Sequence, residues 1–543
     1  MNPRQRQRGA DVLAQAIART GIKRIFTLSG NHIMPVFDAA LDAGLELVHV
    51  RHEAAAVHMA DAHARLTGEA GVALVTGGPG HANAVSALYT AAMAESPVVL
   101  LSGHAALSQL GRGAFQEMRQ AEIATPLTKA SGLSRAPDSI GRDFAFAMRV
   151  ALAGRPGPVH LSLPQDVLEA EAASVAPDEF PPPAPSTVDA AAMVARLQRA
   201  RRPLILAGPV AMTKAGRARM AALEAATGIP VVGMESPRGI GDPSLGAFGE
   251  VLAQADCILL LGKRLDFTLK FGAAPAIGAA CEFLQVDAEA AEPERTRRAV
   301  GARLAAHAVG DALATADALA AAAKPMAGGW LGEVKAAIAF RPAAWDALSQ
   351  AEGAPMHPVQ ALRPLQSLLD AHPDSVFVCD GGEIGQWAQA CLSAPNRVIN
   401  GVAGSIGACL PFAAGARVAK PGVPIVAVMG DGTFGFHAAE IDTAVRYGLP
   451  YVAVVGNDAR WNAEYQIQLR DYGRERLVGC ELLPTRYDQV AVAFGGAGEL
   501  VTRAGDVLAA ARRAAASARP AVLNVAVEGL PAPSFKRPGA AGP

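Results

Sequence analysis

Gly430-Asp431-Gly432-Thr433-Phe434-Gly435 follows an apolar run that begins at Ile425, and Asn457-Asp458 follows a second apolar run after an amphipathic stretch and Pro450. The two carboxylates are 458 − 431 = 27 residues apart. In a right-handed strand-helix-strand crossover that spacing carries both to the carboxyl ends of neighbouring parallel strands, where such folds place ligands. Two oxygen ligands there suit a hard divalent cation such as magnesium, which binds through one or two side chains plus phosphate oxygens of a ligand. A diphosphate is the natural third partner. The glycines flanking Asp431 let the backbone approach it, and the helix starting near Phe434 aims unpaired N–H groups at it.

The rest of the chain must position this pair. Strand-like runs such as Val72 to Val75, Val98 to Leu101, Leu204 to Leu206, Cys257 to Leu261, Val376 to Cys379, Ile425 to Val428 and Val452 to Val455 alternate with Ala-rich helical segments. Near-continuous apolar strands between helices indicate parallel sheets covered on both faces, an α/β class. At 543 residues the chain exceeds one core. A Pro-rich linker from Pro177 to Pro185 and a break between Ala321 and Pro358 divide it into three doubly wound domains, at about 1–175, 190–325 and 355–530. The tail, 531–543, is rich in proline and poor in apolar residues, and is expected to be mobile or to fold onto a ligand.

With 49 basic and 50 acidic residues the formal charge is −1, so no field exists to hold nucleic acid. The first nineteen residues are polar and Arg-rich without the apolar segment of a secretory signal, and no run reaches the length of a membrane span, so the expected location is cytoplasmic. Six cysteines (Cys257, Cys281, Cys379, Cys391, Cys409, Cys480) lack C-x-x-C spacing and read as reduced core residues.

The Gly430-Asp431-Gly432 to Asn457-Asp458 pattern resembles the diphosphate-binding signature of thiamine diphosphate enzymes, and the similarity extends over nearly the whole chain. In the first domain, Arg51-His52-Glu53, a helix, a strand and Gly78-Pro79-Gly80 match the pyrimidine-binding domain of the acetolactate synthase-like members. The resemblance implies that Glu53 bonds the cofactor's aminopyrimidine and drives the tautomer whose amino group deprotonates the thiazolium, a relay in which the protein supplies orientation and a dry pocket. It further implies that Glu53 serves a cofactor held by the third domain of another subunit, in a homodimer or homotetramer.

Other positions carry over in the same way. Ser29-Gly30-Asn31-His32-Ile33 matches a turn bordering the substrate space, with His32 an acid/base candidate, and Gln116 in Gly113-Ala114-Phe115-Gln116-Glu117 is a polar contact candidate. His81 and His104 follow strands at the same sheet edge and are either functional or structural. Gly30, Gly78, Gly381, Gly382, Glu383, Ser405, Gly430, Gly432, Thr433 and Trp461 are expected near the cofactor, and Ile406 as the wedge that bends it. In the metal set, beside Asp431, the family's side-chain ligand falls at Asp458 and its backbone carbonyl at Arg460. An Asp replaces the usual Asn, so either Asp458 or Asn457 makes the contact.

The middle domain distinguishes the branches: FAD in acetolactate synthases, an adenine nucleotide or CoA in the CoA-dependent members. Leu265-Asp266-Phe267 after Gly262-Lys263-Arg264 looks closer to the CoA branch, and Lys263, Arg264 and Lys270 are candidates for CoA phosphates. The expected activity is therefore a carbon-carbon lyase or carboligase that splits a 2-hydroxyacyl-CoA into an aldehyde and formyl-CoA through a carbanion-enamine intermediate. Acetolactate synthase is the alternative, and substrate choice falls to His32, Gln116, Trp461 and the segment Asn462 to Arg470. A noncatalytic thiamine diphosphate-binding paralogue is disfavoured because Glu53 and Asp431 are both present, and a nicotinamide dehydrogenase because no Gly-x-Gly-x-x-Gly follows a strand with a later acidic residue.

Overall fold

Apolar runs too short for helices form the strands of three parallel sheets, seen in a computed structural model that describes residues 7–172 and 188–538. The Pro177 to Pro185 linker and residues 539–543 lie outside the described residues. The first sheet holds β1 (Arg24–Thr27), β2 (Glu46–His49), β3 (Gly71–Val75), β4 (Val98–His104), β5 (Ser131–Leu133) and β6 (Val159–Pro164), in the order β2-β1-β3-β4-β6-β5. The middle sheet holds β7 (Pro203–Ala207), β8 (Val231–Gly233), β9 (Cys257–Leu261), β10 (Glu282–Asp287) and β11 (Leu304–Val309), in the order β8-β7-β9-β10-β11. The third holds β12 (Val376–Cys379), β13 (Asn396–Ile399), β14 (Ile425–Gly430), β15 (Tyr451–Asn457), β16 (Ala497–Val501) and β17 (Pro520–Ala526), in the order β13-β12-β14-β15-β17-β16. First and third sheets thus share one winding, and every strand pair in the three sheets is parallel, as the apolar runs require.

Helices α1 (Glu53–Thr67) and α2 (Pro79–Met93) carry the chain from β2 to β3 and from β3 to β4. In the third sheet α3 (Gly382–Cys391) leads from β12 to β13, α4 (Cys409–Ala419) from β13 to β14, and α5 (Asn462–Tyr472) follows β15. The ends of α1 are set locally: His52 accepts the Ala54 N–H at 3.1 Å, and Gly68, at φ 79°, turns the chain out. α1 and α4 occupy equivalent places in the two windings and pack on each other in one shared core, with Ala55, Ala56, Met59 and Ala60 against Phe412, Ala413 and Ala416. The small residues permit a close approach. A Cβ on Gly415 would stand 2.5 Å from the carbonyl oxygen of Met59. The first domain is also joined to the middle one by Arg155, buried between Glu95 and Asp287.

The break between Ala321 and Pro358 contains a helix, Trp330–Ala339, whose Val334 and Ala337 join the middle core. Its Ala-rich composition hides the spacing of those two positions. The tail is docked through Pro538. Ala532 N–H donates to Glu383 at 3.1 Å, Phe535 lies 5.7 Å from the Trp345 ring, and Arg537 pairs with Glu250 at 2.7 Å. Backbone groups, one aromatic and one ion pair do this work, none of which a proline-rich composition reveals. All six cysteines are free, and burial pushes the Cys257, Cys281 and Cys391 thiols up to about 12, which makes those thiols inert. No helix among the described residues is long and apolar enough to cross a membrane.

Candidate functional site

In the third sheet the chain passes from β12 outward to β13 and then returns to β14 on the other side, so the connections diverge between β12 and β14 and leave a crevice at their carboxyl ends. Pairing of Cys379 with Val428 places Asp380-Gly381 and Gly430-Asp431 at its mouth, and pairing of Gly430 with Gly456 sets Asp431 beside Asn457-Asp458. Asp431 is 2% exposed, and its Oδ2 has no hydrogen-bond partner among the described residues. Burial lifts its carboxyl to about 6, against the pull of nearby backbone amides including those of Ala459 and Arg460. Asp458 is pushed up to about 7, by burial first and by the charge of Asp431 second, with Arg460 acting the other way. An unpartnered buried carboxylate oxygen beside a second carboxylate is an unmet demand for a cation, so these residues fit the magnesium expected there.

Asn457 faces elsewhere. Its amide donates to the Thr485 carbonyl and to Asn524 Oδ1, both at 3.0 Å, and its Oδ1 accepts the Ala459 N–H at 3.2 Å. The Arg460 side chain lies over the Tyr465 ring, 4.4 Å from its centroid, while its backbone bridges to Glu481. Gly432 must lack a side chain, because a Cβ there would meet the Trp461 ring at 2.7 Å. Thr433 donates its hydroxyl to the Gly430 carbonyl at 3.1 Å, closing the turn.

Sequence reasoning placed Asp380 in a segment, Asp380 to Ile384, that resembles the family's diphosphate-holding stretch, without giving it a role of its own. Buried at 1% exposure and pushed up to about 6 by that burial, it accepts the Gly381 N–H at 2.8 Å and the Gly407 N–H at 2.9 Å. It thereby ties the β12 exit to the turn carrying Ser405 and Ile406, and Ile406 reaches over Gly381, where a Cβ would stand 2.8 Å from Ile406 Cγ2. A carboxylate ending a strand before two glycines was the available signal. The amide of Gly381, a residue expected near the cofactor, is spent on Asp380; Gly382, at φ 77°, has open space around it. Glu383 is partly buried, its carboxyl raised by that burial against the pull of Arg238.

A second cluster stands at the carboxyl ends of β1 and β3. Glu53, 8% exposed, accepts from the Asn83 amide at 3.1 Å, and its Oε1 is 3.4 Å from where a Cβ on Gly80 would lie. His32 is 3% exposed, 3.3 Å from Thr76 Oγ1 and stacked on Phe115 at 6.0 Å; burial lowers its pKa. Gly30 lies hard against Thr76, and Gly78, at φ 59°, against Gln116, itself at φ 56°. His81 and His104 are turned inward: His81 bonds Ser102 at 2.9 Å, and the ring nitrogens of His104 face the Ala105 and Met118 carbonyls. The two clusters occupy matching places in the two windings. The Gly78 turn after β3 corresponds to the Asp431 turn after β14, and Glu53 at the start of α1 corresponds to the wedge turn before α4.

In the middle domain, Lys263 is buried on Asp266 and Thr268, and Arg264 pairs with Glu289 and Glu292. Of the three cations expected at phosphates, Lys270 remains exposed. A cavity of about 300 Å³ where the three domains meet is lined by Val210, Glu235, Asp311 and Arg397 among others, at the carboxyl edge of the middle sheet.

Residues 7–123, 190–319 and 380–525 match, respectively, the N-terminal TPP binding, central and C-terminal TPP binding domains of thiamine pyrophosphate enzymes. The chain is 31% identical to the acetolactate synthase large subunit IlvG of Mycobacterium tuberculosis, over 96% of each chain. It is 29% identical to human 2-hydroxyacyl-CoA lyase 2, over 96% of this chain and 90% of that one, and 28% identical to the oxalyl-CoA decarboxylase of Escherichia coli, over 96% and 95%.

Proposed function

The chain belongs to the thiamine pyrophosphate enzyme family, and from that premise we propose that it is a magnesium-dependent carbon-carbon lyase, acting on a 2-hydroxyacyl-CoA to give an aldehyde and formyl-CoA. The observation that carries the choice of substrate is His32, a buried titratable side chain seated between Thr76 and Phe115 beside the Glu53 cluster. When bound, thiamine diphosphate supplies a carbon nucleophile that also accepts the electron pair released on carbon-carbon cleavage. Asp431, Asp458 and the Arg460 carbonyl would hold the magnesium ion that accompanies its diphosphate. Ile406, braced over Gly381, would be the side chain that wedges the cofactor. Glu53 holds a proton at the pyrimidine nitrogen N1′, and the Asn83 amide keeps that carboxyl oriented. His32, kept neutral at pH 7 by burial, takes the proton from the 2-hydroxyl oxygen as the bond between C1 and C2 breaks. Lys270, exposed on the middle domain, is the remaining candidate for a CoA phosphate.

Glu53 makes its hydrogen bond within its own winding, which suits a side chain offered to the diphosphate half of a second copy, in a homodimer or homotetramer. A cytoplasmic location agrees with reduced cysteines. The similarity to acetolactate synthase IlvG favours a second reading, decarboxylating condensation of pyruvate with FAD in the middle domain. Incubation of native protein with a 2-hydroxyacyl-CoA, followed by mass spectrometry, should reveal formyl-CoA and the shortened aldehyde. A yellow protein that converts pyruvate to acetolactate and leaves the thioester intact would establish the second reading instead.

A further inference from the structure

Behind the Glu53 cluster lies a buried side chain to which sequence reasoning gave no role. Gln120 is 1% exposed, and its amide is satisfied at both ends. Oε1 accepts the Gly78 N–H at 2.8 Å, while Nε2 donates to the Gly103 carbonyl at 3.0 Å and to Ser162 Oγ at 3.1 Å. The amide orientation is fixed by this pattern, because the reverse would set the NH2 group against an N–H and an oxygen against a carbonyl. Ser162 is backed in turn by His160, which bonds Ser131 at 2.8 Å on its other side. The anchor is therefore a connected chain inside the first domain, and not a lone contact.

What the anchor holds is the turn between β3 and α2. Gly77 has no room to shift, since a Cβ there would lie 2.7 Å from the Gly103 carbonyl oxygen, and Gly78 takes a left-handed φ of 59° with its N–H directed at Gln120. On the outer face of that turn Gln116 presses against Gly78, within 2.8 Å of where a Cβ would be. Two residues on, a Cβ at Gly80 would stand 3.4 Å from Glu53 Oε1, and five residues on the Asn83 amide of α2 donates to Glu53. One buried amide thus sets the spacing between Gln116, on a loop, and Glu53, at the start of α1.

We infer that Gln120 is a positioning residue that fixes the Gly78 turn so that Glu53 meets the pyrimidine ring of the bound cofactor in the geometry its proton relay needs. The inference rests on the thiamine diphosphate reading above. It assigns Gln120 no contact with cofactor or substrate, so its loss should affect proton transfer and spare binding, which the diphosphate half of the site governs.

The test compares full-length wild type, Gln120→Met, Ser162→Ala and Glu53→Gln. Three quantities are measured: thiamine diphosphate affinity by tryptophan fluorescence, Trp461 lying against Gly432; the hydrogen-deuterium exchange rate at C2 of the bound cofactor; and the thermal midpoint. In Gln120→Met, exchange should slow roughly 10- to 100-fold, the cost of a misplacement near 1 Å, with affinity within about twofold of wild type. Ser162→Ala, which removes one support and leaves both backbone contacts of Gln120, should slow exchange by a smaller factor and serves as the test if Gln120→Met does not fold. Wild-type exchange in the Gln120 variant alongside lost exchange in Glu53→Gln overturns the inference and leaves the reading standing. A parallel fall of affinity, exchange and midpoint overturns it too, as the mark of a merely structural residue. A wild-type protein that binds no thiamine diphosphate overturns the reading and this inference together.

Discussion

Asp431 stands beside Asp458 at the ends of two hydrogen-bonded parallel strands, and its charge, added to burial, lifts the Asp458 carboxyl to about 7. Two carboxylates so placed resist ionising together unless a cation offsets them. The arrangement costs free energy in the empty protein, and binding a metal recovers that cost.

This cost has a pH signature. Both carboxyls lie above the ordinary 3.8, at about 6 and about 7, so between pH 4 and 7 this pair binds more protons in the folded chain without metal than in the unfolded chain. The pair's own contribution to stability therefore falls as pH rises through that window. The ionised pair is the form that binds metal, so the stabilisation by magnesium with thiamine diphosphate should grow over the same window. Differential scanning fluorimetry should show a larger upward shift at about pH 7.5 than at about pH 5.5, reaching a few kcal/mol when ligand is about 100-fold above its Kd. Equal shifts at both pH values would exclude the pair as the metal site.

Neighbouring residues separate structure from binding. Asn457→Ala removes an amide with partners on Thr485, Asn524 and Ala459, and should destabilise the protein by about 1–3 kcal/mol in denaturant unfolding while leaving magnesium-supported cofactor retention intact. Asp458→Asn should behave oppositely. It relieves the charge pair, so the metal-free protein is as stable or more stable at pH 7, and cofactor retention should weaken by more than the roughly 10-fold typical of an outer-shell loss. Reversed behaviour of the two variants would move the ligand to Asn457.

Much of this was legible in the residues themselves. Near-continuous apolar runs specified parallel sheets, and the crossover spacing from Asp431 to Asp458 set both carboxylates at one sheet edge, because strand length and helix length fix where a chain re-emerges. Which of Asn457 and Asp458 faces the crevice was not legible, since it depends on the partners that Thr485 and Asn524 offer from distant segments. The role of Asp380 was hidden for a related reason: its partner, the Gly407 amide, is 27 residues away, across α3 and β13. Lys263 read as a candidate for a CoA phosphate, yet Asp266 and Thr268 three and five residues on draw it inside. Gln120 carried no motif at all, and its role emerges only once β4 and β6 bring Gly103 and Ser162 to its amide.

The shared core of the first and third domains should be sensitive to a single methyl group. Gly415 of α4 passes so close to Met59 of α1 that an added Cβ meets both the carbonyl oxygen, at 2.5 Å, and the Cα, at 2.8 Å. These are backbone atoms of a packed helix and cannot rotate aside. Despite the better helix propensity of alanine, Gly415→Ala should lower stability by about 1–3 kcal/mol as the helices are forced apart. The thermal midpoint checks this, and an unchanged or raised midpoint would mean that α1 and α4 do not pack as closely as described.

The assignment of Glu53 to a second copy of the chain has a sharper test than loss of activity. Glu53→Gln should still bind thiamine diphosphate and magnesium but lose C2 exchange by roughly 10²- to 10⁴-fold, the usual worth of an acid/base group. Asp431→Ala should lose cofactor retention. Each variant alone is inactive. In a mixed dimer, one site receives both substitutions and is doubly broken, while the other joins the native Glu53 of one chain to the native Asp431 of its partner. If the chains exchange freely, half the dimers are mixed and each carries one intact site of two, so mixing should restore about a quarter of wild-type activity. If each site were built within one chain, every site in the mixture would carry one lesion and activity would not return. Native mass spectrometry of the mixture, using variants that differ in mass, confirms that exchange took place, so that a silent mixture counts directly against the shared site.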